Sequence, residues 1–342
     1  MQEHAHREAD ALSPTRLAPT RLASTRLAPD RLGLGLAALG RPGYINLGHA
    51  DDLAGGQDEA SLKAQTFSVL DAAYHAGIRT FDAARSYGQA EAFLAEWLEN
   101  RQLGPDDVQV GSKWGYTYTA DWQVQADQHE VKEHSLPNFI RQWPQSRALL
   151  GKWLKVYLAH SVTPDSPLLQ GAALLERLSR LRGEGVTPGL SLSGPRQGEV
   201  LEQALTLHVA GQPVFGAVQA TWNLLDPGAG PALKAAHQAG WKVVIKEAVA
   251  NGRLTSRNNR LPPALLEMCG QHQTTPDALA LAAALAQPFA DVVLSGASTA
   301  DQLRSNLAAL SLELSADELS HLAGLAEPPH AYWKTRAELA WN

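Results

Sequence analysis

From residue 32 onward the chain alternates short apolar runs with stretches of helical periodicity. The runs are "RLGLGLA" at 31–37, "IRTFD" at 78–82, "VQVGSK" at 108–113 and "KVYLAH" at 155–160. Four more follow: "PGLSLS" at 188–193, "FGAVQA" at 215–220, "KVVIK" at 242–246 and "DVVLS" at 291–295. Each is too short for a helix and reads as a strand. Between them the spacing predicts helices over 61–76, 89–99, 139–151, 170–183, 197–208, 230–239, 276–287 and 299–309. In "TFSVLDAAYHAG", for example, Phe67, Leu70 and Tyr74 share one face and Gly77 supplies the stop. Strands followed in turn by helices imply right-handed βα units that close into an α/β (β/α)8 TIM barrel, one domain over 32–325. A doubly wound open sheet is the alternative, disfavoured because no G-x-G-x-x-G opens the first βα turn.

The first 31 residues follow neither period. "TRLAPTRLASTRLAPDRL" repeats a five-residue unit, which would spiral its arginines around a helix rather than align them. Pro14, Pro19 and Pro29 interrupt any helix, and the stretch lacks a secretory apolar core. It reads as a low-complexity, disordered leader with no chemistry assigned. Residues 326–342, "EPPHAYWKTRAELAWN" after Ala326, read as a tail near the barrel mouth.

Composition narrows the classes. A net charge of −6 argues against a nucleic-acid surface, and no run approaches the roughly 18 apolar residues of a membrane span. The single cysteine, Cys269, has no partner for an internal disulfide, which fits a cytoplasmic location. A monomer or weak oligomer acting on a small molecule is expected.

A barrel places chemistry at the carboxyl ends of its strands. There the sequence sets Asp82, Lys113 and His160 on three consecutive strands, with Tyr87 in the loop after the second. One such residue is as easily an end-cap; the set suits proton transfer. A lysine near a phenol favours the phenolate and lowers its pKa, an aspartate can hold that lysine, and a histidine can orient and polarise a carbonyl. The set supplies no hydride, which a nicotinamide cofactor would have to bring.

These residues resemble the catalytic tetrad of the aldo-keto reductases, an NADP(H)-dependent barrel family of oxidoreductases. "GIRTFDAARSYG" at 77–88, "GSKWG" and "YLAHS" are similar to its motifs, and the likeness spans residues 31 to 325. The resemblance implies carbonyl reduction, or alcohol oxidation in reverse, with Tyr87 as general acid, Lys113 lowering its pKa, Asp82 holding Lys113 and His160 orienting the carbonyl. It also implies a cofactor site at Ser193, Gln219, Lys246, Gly252, Arg253, Gly296, Ser298, Gln302, Arg304 and Asn306. The last five lie in "LSGASTADQLRSN", whose "STAD" is equally a helix cap. NADP(H) is the cofactor expected from the family, with NAD(H) also open: Ser298 and Thr299 are neutral where a 2′-phosphate wants a cation. Gly194 replaces the family's usual asparagine, and Lys246 stands where an aromatic ring is usual.

Aromatic residues Trp114, Tyr116, Trp122 and Trp222 are expected to line a substrate pocket or else to support loops on the rim. Trp333 and Trp341 in the tail are open to the same two readings. The distance from Lys113 to His160 points to an enlarged loop. "HEVKEH" within it sets His129 and His134 about 140° apart on a helix, wrong for a shared metal, so no metal is expected. Two rival functions remain: an NADP(H)-binding regulatory or sensor subunit with little turnover, and an aldolase using Lys246 as a Schiff-base nucleophile.

Overall fold

The computed structural model describes residues 27–53 and 55–342, so residues 1–26 of the expected leader lie outside the described residues. Residues 27–31 dock on the barrel instead: the Leu27 N–H donates to Leu310 O at 2.9 Å and Arg31 Nη2 to Ala290 O at 2.6 Å.

The barrel strands are β1 (Leu32–Gly35), β2 (Thr80–Asp82), β3 (Gln109–Trp114) and β4 (Leu154–Val162), then β5 (Thr187–Leu192), β6 (Ala217–Thr221), β7 (Lys242–Lys246) and β8 (Val292–Ser295). They pair in parallel in chain order, and β8 returns to β1 with Leu34 opposite Ser295. Both faces of such a sheet are covered, which is why the strands read as near-continuous apolar runs. Leu34, Phe81, Val243 and Ile245 are fully buried.

Helices follow the strands as the periodicity predicts, with shifted ends; one is buried on every side. Over Pro276–Leu285 each residue is buried, so "PDALALAAAL" has no solvent face to show. Its one carboxylate, Asp277, accepts from Asn306 Nδ2 at 2.7 Å.

Four helices, His49–Asp52, Pro263–His272, Ala316–Ala323 and Pro329–Ala337, were not expected. Pro262–Pro263 and Pro328–Pro329 look like breakers, but proline is tolerated in a first helical turn, where its missing N–H has no partner to lose. The Ala316 helix carries a full capping box between Ser315 and Glu318.

Three strands also run past their expected ends, β6 by one residue to Thr221. β3 continues to Trp114 and β4 to Val162, with a register shift between Ala159 and Val162 and Ser161 at φ 53°. This irregularity lies directly beyond His160 and turns the strand locally, as bulges beside sites do. The long loop after β3 folds into a hairpin, Tyr116–Tyr118 against Glu130–Lys132, that stands over the mouth.

Candidate active site

Asp82, Tyr87, Lys113 and His160 meet at the carboxyl end of the barrel. Lys113 Nζ donates to Asp82 Oδ2 at 2.5 Å and to Ala83 O at 2.9 Å. Lys113 is fully buried, so this ion pair has little water to compete with it. The Tyr87 hydroxyl lies 3.3 Å from His160 Nε2, and Ser86 Oγ lies 3.3 Å from His160 Nδ1. Lys113 Nζ is 4.7 Å from the Tyr87 ring centroid.

The loop that presents Tyr87 needs the glycine after it. Gly88 has φ 56°, and a Cβ there would come within 2.4 Å of Gly40 O. Gly40 O in turn accepts from the Gln89 N–H at 2.7 Å, fastening the Tyr-Gly turn to the loop after β1. A side chain at 88 would break this contact as well as strain the backbone.

Burial dominates the titration of both proton-bearing groups. The Tyr87 phenol is pushed well above its ordinary value by burial, then by the charges of Asp82 and Glu130, with Arg41 opposing. The lowering expected from Lys113 does not prevail, because its charge is spent on Asp82. His160 is held well below its ordinary value by burial and by Lys113, Lys246 and Arg41, so it is neutral. A protonated phenol beside a neutral imidazole is a proton donor next to a group that can orient an oxygen.

Asp82, Tyr87 and His160 line a cleft of about 250 Å³, with Lys113 behind them, and its walls include Arg41, Tyr44, Tyr116, Glu130, Ser193, Gln219, Lys246, Glu247, Gly296, Arg336 and Trp341. A second hollow continues past Gly252 to Gln302 and Asn306, and the two share Asn46, Val249 and Gly296. The result is an extended cleft rather than a single pit. Three side chains lining it carry a buried polar atom with no protein partner among the described residues: Arg41 Nε, Gln219 Nε2 and Asn251 Oδ1. Buried polar atoms are nearly always paired, so these fit a ligand rich in amide and hydroxyl groups such as a nicotinamide dinucleotide.

The structure disperses some of the residues expected in the cofactor site. Ser193, Gln219, Lys246, Gly252, Gly296, Gln302 and Asn306 line the extended cleft, and Ser298 is bonded to Gln302 at its edge. Arg253 and Arg304 do not. Arg253 is paired with Glu327, and Arg304 with Asp301 at 2.9 Å on the open surface. Lys246 Nζ donates to Thr221 Oγ1 at 3.0 Å beside Glu247; its pKa is lowered by burial and by Arg336, against Glu247.

Of the expected pocket aromatics only Tyr116 reaches the cleft, its ring 5.1 Å from that of His160. Trp114 is fully buried behind the strand against Phe139, and Trp222 packs on Phe289. Trp122 belongs to a satellite cluster with Leu53, Leu62 and Phe93, its Nε1 donating to Gln57 O at 2.7 Å. Strand alternation explains the first: Lys113 and Trp114 are consecutive and face opposite sides. In the tail, Trp341 lines the cleft, whereas Trp333 is buried with its Nε1 on Asp226. The enlarged loop is a wall: His129 stacks on Trp341 at 3.8 Å, and His134 bonds Ser166 Oγ and His160 O.

Arg41, Tyr44, Glu130, Glu247 and Arg336 were missed. Arg41 is nearly fully buried, bonds Ser86 O at 2.9 Å and Glu130, and lies 5.3 Å over the Tyr87 ring. No local pattern marked it, because its partners are distant in sequence.

A sequence model described as the Aldo/keto reductase family matches residues 31–327. The chain belongs to the aldo-keto reductase family of oxidoreductases. It is 25% identical to aldo-keto reductase str7 of Strobilurus tenacellus over 86% of this chain and 87% of that protein. It is 24% identical to a probable aryl-alcohol dehydrogenase, AAD4, of Saccharomyces cerevisiae, over 77% of this chain and 88% of that protein. Among solved structures, the holo form of aldo-keto reductase AKR11C1 from Bacillus halodurans superposes with a TM-score of 0.65. That pair shares 22% identity and covers 89% of this chain and 96% of the other, a likeness of fold.

Proposed function

We propose that this chain is an NAD(P)H-dependent reductase of aldehydes or ketones, which in reverse oxidises an alcohol with NAD(P)+. The observation that carries the reading is the Tyr87 hydroxyl 3.3 Å from His160 Nε2, beside the 2.5 Å Lys113–Asp82 pair, on the floor of an extended cleft. A nicotinamide bound there supplies the hydride to the carbonyl carbon. Tyr87 gives its proton to the carbonyl oxygen as negative charge develops on it. The phenolate left behind lies beside the Lys113–Asp82 and Arg41–Glu130 pairs, and of these charges Arg41 favours it.

His160 positions the substrate oxygen. With Ser86 Oγ donating to Nδ1, the Nε2–H offers a hydrogen bond to that oxygen and keeps its proton. Gln219 Nε2 and Asn251 Oδ1 would hold the nicotinamide dinucleotide through its amide and hydroxyl groups, and Ser193 would join them. Asp82 holds Lys113 in place. The small-molecule substrate and a cytoplasmic location with the thiol of Cys269 reduced complete the reading; the cysteine is buried.

Purified protein is mixed with reduced nicotinamide cofactor and a panel of aldehydes, and loss of the cofactor is followed beside a Tyr87→Phe variant. Turnover that falls about 10²- to 10⁴-fold in the variant, with cofactor binding kept, supports the mechanism. Cofactor binding without turnover on any carbonyl overturns it in favour of a sensor. A borohydride-trapped adduct at Lys246 would instead identify an aldolase.

A further inference from the structure

The far end of the cleft is acidic. Its lining includes Asp52, Asp277 and Asp301, with Arg257 as the one cation. Asp301 is exposed and paired with Arg304, which leaves Asp52 and Asp277 facing Arg257. His49, 4.0 Å from Asp52, is held near pKa 4 chiefly by burial and is neutral.

Asp52 takes up the hydrogen-bond donors present there. Its Oδ2 accepts from Ser298 Oγ at 2.6 Å and from Arg257 Nη1 at 3.0 Å; its Oδ1 accepts from Gln302 Nε2 at 2.8 Å and from Arg257 Nη2. The side chain is only 6% exposed. Burial would raise its pKa, but the bonds from Arg257, Ser298 and Gln302 outweigh it and keep the carboxyl ionised. The segment bearing Asp52 is itself fastened. Gln65 Nε2 bridges Asp52 O and Ser298 O, and Arg257 also donates to Leu47 O and Gly48 O.

With the nicotinamide at Tyr87, the adenosine of a dinucleotide lies along the continuation of the cleft toward Gln302 and Asn306. A 2′-phosphate on that ribose would bring about two negative charges to a place where Ser298, Gln302 and Arg257 already serve a carboxylate. A free ribose hydroxyl brings none, and a carboxylate can accept a hydrogen bond from it.

We propose that Asp52 is a specificity residue of the dinucleotide cleft, excluding a 2′-phosphate so that the chain takes NAD(H) ahead of the family's typical NADP(H). The inference rests on the reading of the cleft as a nicotinamide dinucleotide site.

The test is binding, followed by fluorescence of the reduced nicotinamide as NADH and NADPH are titrated into the full chain. The wild type is expected to bind NADH about tenfold or more tightly than NADPH at low salt, where a nearby charge is weakly screened. Asp52→Asn keeps the shape and removes the charge, and is expected to tighten NADPH about tenfold while moving NADH less than about threefold. Asp301→Asn, at an exposed carboxylate that supports no packing, is expected to shift the ratio less, in the same direction, and tests the inference should Asp52→Asn not fold. A wild type that prefers NADPH, or variants that leave the ratio unchanged, overturns the role of Asp52 and leaves the site reading standing. Binding of neither cofactor overturns both.

Discussion

Arg336, in the last helix, forks Glu247 just beyond the end of β7: Nη2 reaches Oε1 at 2.6 Å and Nε reaches Oε2 at 2.9 Å. The Glu247 side chain is only 9% exposed and its backbone has φ 57°, a left-handed conformation that a non-glycine residue adopts at a cost of about 1–3 kcal/mol. Burial would raise its pKa, yet Arg336 and then Lys246 pull it down to about 2. Removing the guanidinium strands a buried charge. Arg336→Ala is therefore expected to cost about 3–5 kcal/mol in a denaturant titration. Arg336→Met with Glu247→Gln should return most of that loss. An Arg336→Ala protein as stable as wild type would mean that water, and not the fork, carries Glu247.

Stability should fall in mild acid, before most carboxylates titrate. His49 and His134 are both lowered from 6.5 to about 4, in each case chiefly by burial. Above pH 6.5 each is neutral in both folded and unfolded chains, and the stability is complete. Between 6.5 and about 4 the unfolded chain takes up a proton that the folded one refuses, so stability drops as pH falls. Each shift corresponds to on the order of 3 kcal/mol. Thermal melts from pH 7.5 to 5 should show the slope, and His134→Gln should flatten it; a melting temperature independent of pH would contradict it.

The rate of carbonyl reduction should hold steady toward alkaline pH, because Tyr87 is raised well above 10 and keeps its proton. Alcohol oxidation starts from the phenolate and should climb with pH over the same range. Glu130 is among the charges that raise Tyr87, and it also engages Arg41. Glu130→Gln removes one negative charge and leaves Arg41 less neutralised. Both effects favour the phenolate, so the oxidation profile should move to lower pH. A shift to higher pH would show that the two groups do not act on Tyr87 through charge.

How far the sequence reached depends on how local each signal is. The strands were legible because a parallel barrel buries both their faces, leaving runs such as "KVVIK" and "DVVLS" that need no partner to be recognised. The residues at their ends were legible for the same reason: Asp82, Lys113 and His160 stand out against apolar neighbours. Arg41, Glu247 and Arg336 had no such contrast. Arg336 lies 89 residues from the carboxylate it serves, and Arg41 lies 89 residues from Glu130. Trp114 failed the opposite way, since aromatic character marked it while strand parity sent it to the outer face. The helices beginning at Pro263 and Pro329 were concealed by paired prolines, a breaker signal everywhere except in a first turn.

Trp341 ties together the end of the cleft near the hairpin loop. It lines the cleft, stacks on His129 at 3.8 Å and lies under Arg41 at 4.8 Å. The neighbouring Asn342 bonds the backbone of Tyr44, Asn46 and Ala50, so the two residues join the tail, the hairpin loop and the loop after β1. Lost aromatic contact of this kind is worth about 0.5–1.5 kcal/mol beyond the area it buries. In Trp341→Ala the contacts among Tyr87, His160, Lys113 and Asp82 are unchanged, because none passes through residue 341. KM for an aromatic aldehyde is therefore expected to rise about tenfold while kcat stays within about twofold, since uniform binding is lost and transition-state interactions are kept. Steady-state kinetics at saturating cofactor separate the two constants. A kcat that fell in step with kcat/KM would mean that the tail helps to set the geometry around Tyr87, through Arg41, which packs on both rings.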